Sequence, residues 1–221
     1  KHSSESLAGR LARVSMGGFT LSEVGLPASD RLWLRGGFPL SFLAKTEKDS
    51  AAWRKDFIRS FVERDLPAHG MALAPLTLLR LWVMIAHYHG QLLNSSEIAR
   101  SLGINELTVK RYLDILSGVF MVRQLQPWYV NIKKRQVRAP KVYIRDSGIL
   151  HSLLGIRVKD DLLANPKYGA SWEGYVIEEI INFVEPDEVY FWATHNGAEI
   201  DLVFSKGGRM YGVECKRSDA P

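Results

Sequence analysis

A glycine pair between two predicted strands is the feature that most restricts how this chain can fold. Gly207-Gly208 is typical of a two-residue hairpin turn between the segments 199–205 and 209–216. In extended strands, one face would carry the apolar side chains of Ile200, Leu202, Phe204, Tyr211, Val213 and Cys215. The pattern therefore predicts two antiparallel strands in which Lys206 pairs with Arg209. One face of this hairpin is apolar, and we expect it to pack against a helix.

The same register brings acidic side chains together on the other face. Asp201 lies opposite Glu214, and Glu199 lies opposite Lys216. Opposed carboxylates about 5 Å apart repel each other, so the pair needs a raised pKa, a nearby cation or a bound divalent ion. Asp201 and Glu214 are therefore candidate ligands for Mg²⁺, which prefers oxygen donors, and Lys216 could orient or deprotonate a water there. An ordinary Glu199–Lys216 ion pair on a solvated face is the other interpretation.

A helix is expected before these strands. Residues 171–184 carry apolar side chains at helical spacing, and Ser171 is a candidate N-cap. Glu173 falls in the first turn of that helix, where it either interacts with the helix dipole or supplies a third oxygen to the predicted metal site. Residues 188–194 are rich in aromatic side chains and are typical of a strand.

Two short helices joined by a glycine turn are predicted in the middle of the chain. Ser95 or Ser96 can cap the first helix, and Gly103 suits its left-handed end. Asn105 can cap the second helix, whose outward face carries the side chains of Thr108, Lys110 and Arg111. The apolar stripe of this second helix is expected to be buried and consists of Val109, Tyr112, Leu113 and Leu116.

A basic segment follows this helix-turn-helix between two predicted strands, 119–125 and 141–144. Its basic side chains are Lys133, Lys134, Arg135 and Arg138. This arrangement predicts a winged helix that binds nucleic acid, with the second helix in the major groove and the basic wing on phosphates. Docking to an acidic protein, or a purely structural role, is the other interpretation.

A helix over 76–88 is predicted to precede the helix-turn-helix and to bury Leu78, Leu81, Trp82 and Ile85. His87 and His89 are two residues apart there and would point about 200° away from each other, so we do not expect them to share a metal ion.

Charge is segregated along the chain, although the net charge of +5 is modest. The segment 131–145 contains six basic and no acidic residues, whereas 171–201 contains eight acidic residues and neither lysine nor arginine. This contrast indicates two modules. The basic segment could meet phosphates, and the acidic one could hold a metal ion or form a solvated face.

Composition excludes several classes of protein. The 221 residues suffice for one or two domains, and a hydrophobic fraction of 46% argues against disorder. The longest apolar run, 81–86, is too short to span a bilayer, so no membrane partner is expected. A single cysteine, Cys215, excludes an internal disulfide framework and favours a reducing, cytoplasmic setting.

The acidic residues with Lys216 resemble a known motif. Asp201 followed by Glu214-Cys215-Lys216, with Glu173 on an earlier helix, resembles the PD-(D/E)xK restriction-endonuclease-like superfamily. The resemblance implies that Asp201 and Glu214 bind Mg²⁺, that Lys216 assists the attacking water, and that Glu173 contributes to catalysis. Members of this superfamily that have lost cleavage are also known, so a scaffold role stays open.

A second resemblance covers most of the chain and rests on motifs that occur in a fixed order. The motifs are Ser4–Arg10, Leu34–Pro39, Lys141–Gly148, Gly169–Glu173, Gly197–Asp201 and Glu214–Lys216. This series resembles the C-terminal part of prokaryotic AAA-type ATPases that end in a domain of unknown function, family 4143. It implies an upstream ATPase domain as a partner in the parent protein. The chain has no G-x-x-x-x-G-K-[S/T] loop, so by itself it is not expected to bind ATP.

The expected fold is therefore α+β or α/β, in four segments. These are an ATPase remnant (1–25), a helical linker (26–75), a winged helix-turn-helix (76–150) and a nuclease-like αβ module that ends early at its C-terminus (151–221). Two functions remain open. The chain is either a DNA-associated region with a Mg²⁺-dependent nuclease module, or a non-catalytic DNA- or protein-binding module on a nuclease-like scaffold.

Overall fold

The chain folds into a mixed arrangement of α-helices and β-strands. The computed structural model describes residues 16–128, 139–194 and 197–217. The helices of these ranges are α1 (Leu21–Val24), α2 (Ser29–Arg35), α3 (Pro39–Phe42), α4 (Glu47–Ser60), α5 (Leu66–Ala68), α6 (Pro75–His87), α7 (Ser95–Leu102), α8 (Glu106–Gly118), α9 (Ser147–Leu153), α10 (Lys159–Leu163) and α11 (Tyr168–Val184). A 3₁₀ turn (Leu26–Ala28) precedes α2, and a π-helical turn (Phe61–Asp65) follows α4. The strands are β1 (Gln91–Leu92), β2 (Val122–Pro127), β3 (Lys141–Ile144), β4 (Glu188–Ala193), β5 (Glu199–Lys206) and β6 (Arg209–Val213).

One sheet joins the two halves of the described chain. Its six strands, counted over the described ranges, lie in the order β1-β3-β2-β4-β5-β6. Neighbours are antiparallel except β2 and β4, which run parallel and pair Gln126 with Tyr190. Strands β1–β3 come from the expected helix-turn-helix segment, and β4–β6 come from the expected C-terminal module. The two segments therefore share hydrogen bonds and do not merely lie side by side.

The predicted glycine turn between α7 and α8 is confirmed. Gly103 has a φ of 67° and a ψ of 30°, the left-handed conformation that glycine adopts without steric cost. Asn105 caps α8, since its Oδ1 accepts a hydrogen bond from the Thr108 amide at 2.7 Å. The expected stripe of α8 is buried in the same core as the apolar face of α6.

The cap of α7 differs from the prediction. Asn94, and not Ser95 or Ser96, accepts the hydrogen bond from the Glu97 amide, at 3.1 Å. Ser95 is unavailable because its hydroxyl donates to Glu106 at 3.0 Å, which links the start of α7 to the start of α8. The predicted helix over 76–88 is α6, but His89 lies beyond its end and is buried against β3.

The hairpin register is confirmed in the described strands. Lys206 pairs with Arg209, and the ladder continues to the pair Leu202–Val213. The second strand, however, ends at Val213 and does not reach Lys216. The physical reason lies in Asp201, whose Oδ2 accepts a hydrogen bond from the Cys215 amide at 2.8 Å. The side chain of Asp201 thereby replaces the backbone partner that a longer ladder would need.

The two faces of the hairpin are less distinct than expected. Leu202, Val203 and Phe204 are all buried although they alternate between faces, because β5 is an inner strand with a register shift against β4. Tyr211, on the expected apolar face, is instead substantially exposed.

The start of α11 is also earlier than predicted. The helix begins at Tyr168, so Ser171 is not its cap but a buried residue inside it. The Ser171 hydroxyl accepts a hydrogen bond from Trp33 Nε1 at 3.0 Å and lies 2.7 Å from His151 Nε2. Glu173 consequently lies beyond the first turn, where the helix dipole has little effect.

Two of the glycine-containing motifs contact each other. The Asp146 carboxylate accepts hydrogen bonds from the amides of Ile149 and Gly37, both at 2.8 Å. A side chain at Gly148 would place its Cβ 2.0 Å from the Arg35 carbonyl oxygen, so α2 and α9 can approach only with glycine there. This contact fixes the N-terminal helices against β3 and α9.

No helix of the described ranges is long and apolar enough to cross a bilayer.

Candidate functional site

A buried lysine lies at the point where β3, α11 and β5 meet. Lys141 is the first residue of β3, and its side chain is only 7% exposed. Its ammonium group contacts three carboxylates. They belong to Glu173 (3.3 Å), Asp201 (3.8 Å) and Glu199. We call these four residues the Lys141 cluster.

The electrostatics of the Lys141 cluster follow from its burial. Burial alone would lower the pKa of Lys141, but attraction by Glu173, Glu199 and Asp201 outweighs this effect and raises it. Burial raises the pKa of Glu173, and the neighbouring Lys141 and a 2.6 Å hydrogen bond donated by the Tyr143 hydroxyl oppose that rise. The cluster is therefore a charged network in which the pKa values of Lys141 and Glu173 depend on their neighbours.

The other two residues of the predicted catalytic set lie apart from this network. Glu214 and Lys216 form an ion pair at 2.8 Å, and their side chains are 59% and 78% exposed. Hydrogen bonding to Glu214 raises the pKa of Lys216, with a smaller contribution from Asp201. The structure thus places Glu173 and Asp201 around Lys141 and pairs Glu214 with Lys216 at the surface.

This donor set does not fit a Mg²⁺ ion at Asp201 and Glu214. One oxygen of Asp201 lies 3.8 Å from the Lys141 ammonium group and the other accepts the Cys215 amide, whereas the carboxylate of Glu214 contacts a different lysine. Hard divalent cations need several oxygen ligands that converge on one point. In the described part of the chain, no group of three or more histidine, cysteine, aspartate or glutamate side chains has the arrangement of a metal site.

A second buried carboxylate lies one turn further along α11. Glu178 accepts hydrogen bonds from Arg123 Nη2 at 2.9 Å and from Arg145 Nε at 3.0 Å, and Arg123 Nε also contacts it. Burial lowers the pKa of Arg123, but the hydrogen bond and charge of Glu178 reverse that effect and raise it. We call Lys141, Arg123, Arg145 and their carboxylate partners the junction.

The junction corrects the interpretation of the charge segregation. Lys141 and Arg145 belong to the basic stretch 131–145, which by its charge could meet phosphates, yet in the structure they meet carboxylates from the acidic segment. Sequence reasoning missed Lys141 and Tyr143 as site residues. The available signal was a lysine at the start of an apolar strand, with Lys141, Tyr143 and Arg145 alternating onto one face.

The surface of α8 carries the predicted nucleic-acid residues. Lys110 forms an ion pair with Glu106 at 2.6 Å, and their side chains are 59% and 44% exposed. Arg111 is exposed and donates to the Gly70 carbonyl at 3.1 Å, whereas the Thr108 hydroxyl donates to Asn105 Oδ1 at 2.8 Å. The remaining predicted contacts lie outside the described residues; they are Lys133, Lys134, Arg135 and Arg138.

Comparison with known proteins finds relatives in mycobacteria. The chain is 52% identical over 218 residues to an uncharacterized protein of Mycobacterium tuberculosis and, at the same identity, to one of Mycobacterium bovis. Each alignment covers 99% of this chain but 49% of the relative, so the chain spans about half the length of the curated relatives it matches. No solved structure matches the chain.

Two family models match consecutive parts of the chain. The model described as domain of unknown function DUF4143 matches residues 168–221, which include α11 and the hairpin. The model described as domain of unknown function DUF8612 matches residues 27–160, which is more than half of the chain. The chain therefore belongs to the DUF8612 family and carries a DUF4143 match at its C-terminal end.

Proposed function

We propose that residues 76–150 form a winged helix-turn-helix that binds double-stranded nucleic acid, with the C-terminal module as its scaffold. The observation that carries this proposal is the order of elements, α6-β1-α7-α8-β2-β3, combined with the antiparallel ladder β1-β3-β2. In such an arrangement α8 is the helix that enters the major groove, and the β2–β3 connection is the wing. By sequence, that connection holds four basic and no acidic residues.

The α8 surface supports a role in binding. Lys110 and Arg111 are exposed, and the partners that they contact are also at the surface. Exposed ion pairs such as Lys110–Glu106 contribute little to stability, because both groups remain solvated. Phosphate groups can therefore replace Glu106 and the Gly70 carbonyl as partners of these two side chains at small cost.

The scaffold role of the C-terminal module is supported by the Lys141 cluster. Its carboxylates hold an internal ammonium group, and this contact ties β3 of the helix-turn-helix to α11 and β5. Phosphodiester hydrolysis by a nuclease-like module, with Asp201 and Glu214 on Mg²⁺, remains a prediction. It would require Glu214 to exchange Lys216 for a position beside Asp201.

The test of binding is fluorescence anisotropy with a labelled DNA duplex over a range of salt concentrations. We expect the triple substitution of Lys133, Lys134 and Arg135 to alanine to reduce the slope of log K against log [salt] by about 2 to 3, since each phosphate contact contributes about 0.9. The matched control replaces three exposed lysines of another surface with alanine: Lys45, Lys48 and Lys55.

The control separates specific phosphate contacts from net charge, because both triple variants remove three positive charges. Equal losses in the two variants would contradict the winged-helix proposal and indicate a general attraction to the basic protein. Binding to an acidic polypeptide in place of the duplex would favour the protein-docking alternative. Metal-dependent cleavage of the duplex that Asp201→Asn abolishes would contradict the scaffold role.

We also propose that the parent protein joins this region to an AAA-type ATPase domain. The support is the resemblance of the ordered motifs and the relatives' length, about twice that of this chain. The full-length mycobacterial relatives are then expected to hydrolyse ATP, whereas this chain alone is expected to show no change in melting temperature with MgATP. A full-length relative without ATPase activity would argue against the parent domain.

A further inference from the structure

The segment that follows β6 is tethered at two points. The Cys215 amide donates to Asp201 Oδ2 at 2.8 Å, and two residues later Arg217 reaches a group of aromatic rings. Between these points Lys216 is exposed and contacts Glu214. The segment 214–217 has no regular secondary structure, so these side-chain contacts determine its position.

Three aromatic rings surround the guanidinium group of Arg217. The guanidinium carbon lies 4.6 Å from the ring centroid of Trp33, 4.7 Å from that of Trp172 and 5.3 Å from that of Tyr168. All three distances are within the range of cation–π attraction, which extends to about 6 Å. A planar guanidinium can also stack on such rings, which an ammonium group cannot do.

The rings are held in place by the core. Trp33 is 2% exposed, and its Nε1 donates to the buried Ser171 hydroxyl at 3.0 Å. Tyr168 and Trp172 are one turn apart on α11, on the same side of the helix. The Trp33 ring meets Trp172 at 74° and Tyr168 at 57°, so the three rings form walls of different orientation and do not form a stack.

We propose that Trp33, Tyr168 and Trp172 form a guanidinium-binding cage, and that the chain fills this cage with its own Arg217 to hold the segment 214–217 beside Asp201. The ligand class of the cage is therefore a planar cation on a flexible stem. When Arg217 occupies the cage, Cys215 stays half-buried and its amide stays hydrogen-bonded to the Asp201 carboxylate. It also fixes the exposed Glu214–Lys216 pair at the surface next to the Lys141 cluster.

Cys215 supplies a direct measure of this anchoring because it is the single cysteine of the chain. The experiment follows the rate at which N-ethylmaleimide, a neutral reagent, labels the native protein at constant pH. We expect Arg217→Ala to raise the labelling rate about tenfold, which corresponds to about 1.4 kcal/mol. The matched control is Lys216→Ala, which removes a positive charge from the same segment and is expected to leave the rate unchanged.

Competition for the cage distinguishes it from a general effect of charge. Methylguanidinium at non-denaturing concentration is expected to displace Arg217 and to speed the labelling of the wild type, compared with the same concentration of methylammonium. Arg217→Lys is expected to label faster than the wild type. The proposal is overturned if Arg217→Ala labels at the wild-type rate, if Arg217→Lys behaves as the wild type, or if methylguanidinium speeds the labelling of the wild type no more than methylammonium does.

Discussion

The surface of α8 and the junction carry the same kinds of charged side chains, but the two regions use them in opposite ways. On α8, Lys110 contacts Glu106 with both side chains in water. At the junction, Lys141 contacts three carboxylates with only 7% of its side chain exposed, and Glu178 accepts from two arginines while almost completely buried. Charges of the first kind are free to change partners, whereas those of the second kind are part of the fold.

The difference shows why a count of basic residues overstates the surface available to nucleic acid. Lys141 and Arg145 belong to the basic segment by sequence, but their charges are satisfied inside the protein. A buried charge that has lost its partner is costly, since neither water nor another ion replaces the contact. Lys141 and Arg145 are therefore excluded as phosphate contacts, whereas the exposed Lys110 and Arg111 of α8 remain candidates. The basic residues of the β2–β3 connection remain candidates by sequence.

The largest effect is expected from Lys141→Ala. This substitution leaves Glu173, Glu199 and Asp201 without their shared cation, and loss of one partner from a buried ion pair typically costs about 3 to 5 kcal/mol. The measurement is the free energy of unfolding from urea denaturation at pH 8, with Lys110→Ala as the control. A loss for Lys141→Ala no larger than that for the control would show that the junction is not held by its buried charges.

The loss of stability caused by Lys141→Ala should be smaller at acidic pH. Without Lys141, the pKa of the buried Glu173 rises further above its usual value, so the folded protein takes up a proton that the unfolded chain does not bind. Folding is then favoured as the pH falls through that raised pKa. The deficit of Lys141→Ala relative to the wild type is accordingly expected to be smaller at pH 5.5 than at pH 8.

The histidines provide a second contrast between buried and exposed groups, with a smaller effect. Burial lowers the pKa of His151 to about 4 and that of His89 to about 3, while unfolded histidine titrates near 6.5. Below pH 6.5 the unfolded chain binds protons that the folded protein excludes. Each buried histidine therefore removes about 1.4 kcal/mol of stability per pH unit as the pH falls from 6.5 towards 4, and its full contribution is present above 6.5.

The test compares the pH dependence of unfolding in two single variants. His151→Gln is expected to flatten the slope between pH 6 and 5 by up to about 1.4 kcal/mol per unit, whatever its effect on absolute stability. His87→Gln, which removes an exposed imidazole, is the matched control for the loss of a histidine. If the two variants had the same slope, proton exclusion by His151 would not contribute to acid sensitivity.

Local features of this fold could be predicted well from the sequence. The hairpin register, the glycine turn at Gly103, the Asn105 cap and the buried stripe of α8 depend on residues within a few positions of each other. At this range backbone preferences and side-chain periodicity dominate. The mixed helix and strand composition of the fold was predictable for the same reason.

The candidate site was harder to predict from the sequence because the residues that meet there are far apart along the chain. Lys141 meets Glu173 and Asp201 only because β2 pairs in parallel with β4 and α11 packs across the joined sheet. The early end of β6 depends on the Asp201 side chain, which competes with the backbone for the Cys215 amide. Likewise, serine is a residue type that often caps helices, but Ser171 is buried inside α11. Its hydroxyl forms hydrogen bonds there with the side chains of Trp33 and His151.

The smallest change in stability is expected from Lys110→Ala, and this variant tests the exposed side of the comparison. Its ion pair with Glu106 lies in water, so removing it should leave the urea midpoint within error of the wild type. Binding to the duplex should nevertheless respond, with the slope of log K against log [salt] reduced by about one, as for one lost phosphate contact. Unchanged stability together with an unchanged slope would remove Lys110 from the binding surface. A marked fall in the urea midpoint would instead show that the Lys110–Glu106 ion pair stabilises the fold, as the ion pairs of the junction are expected to do.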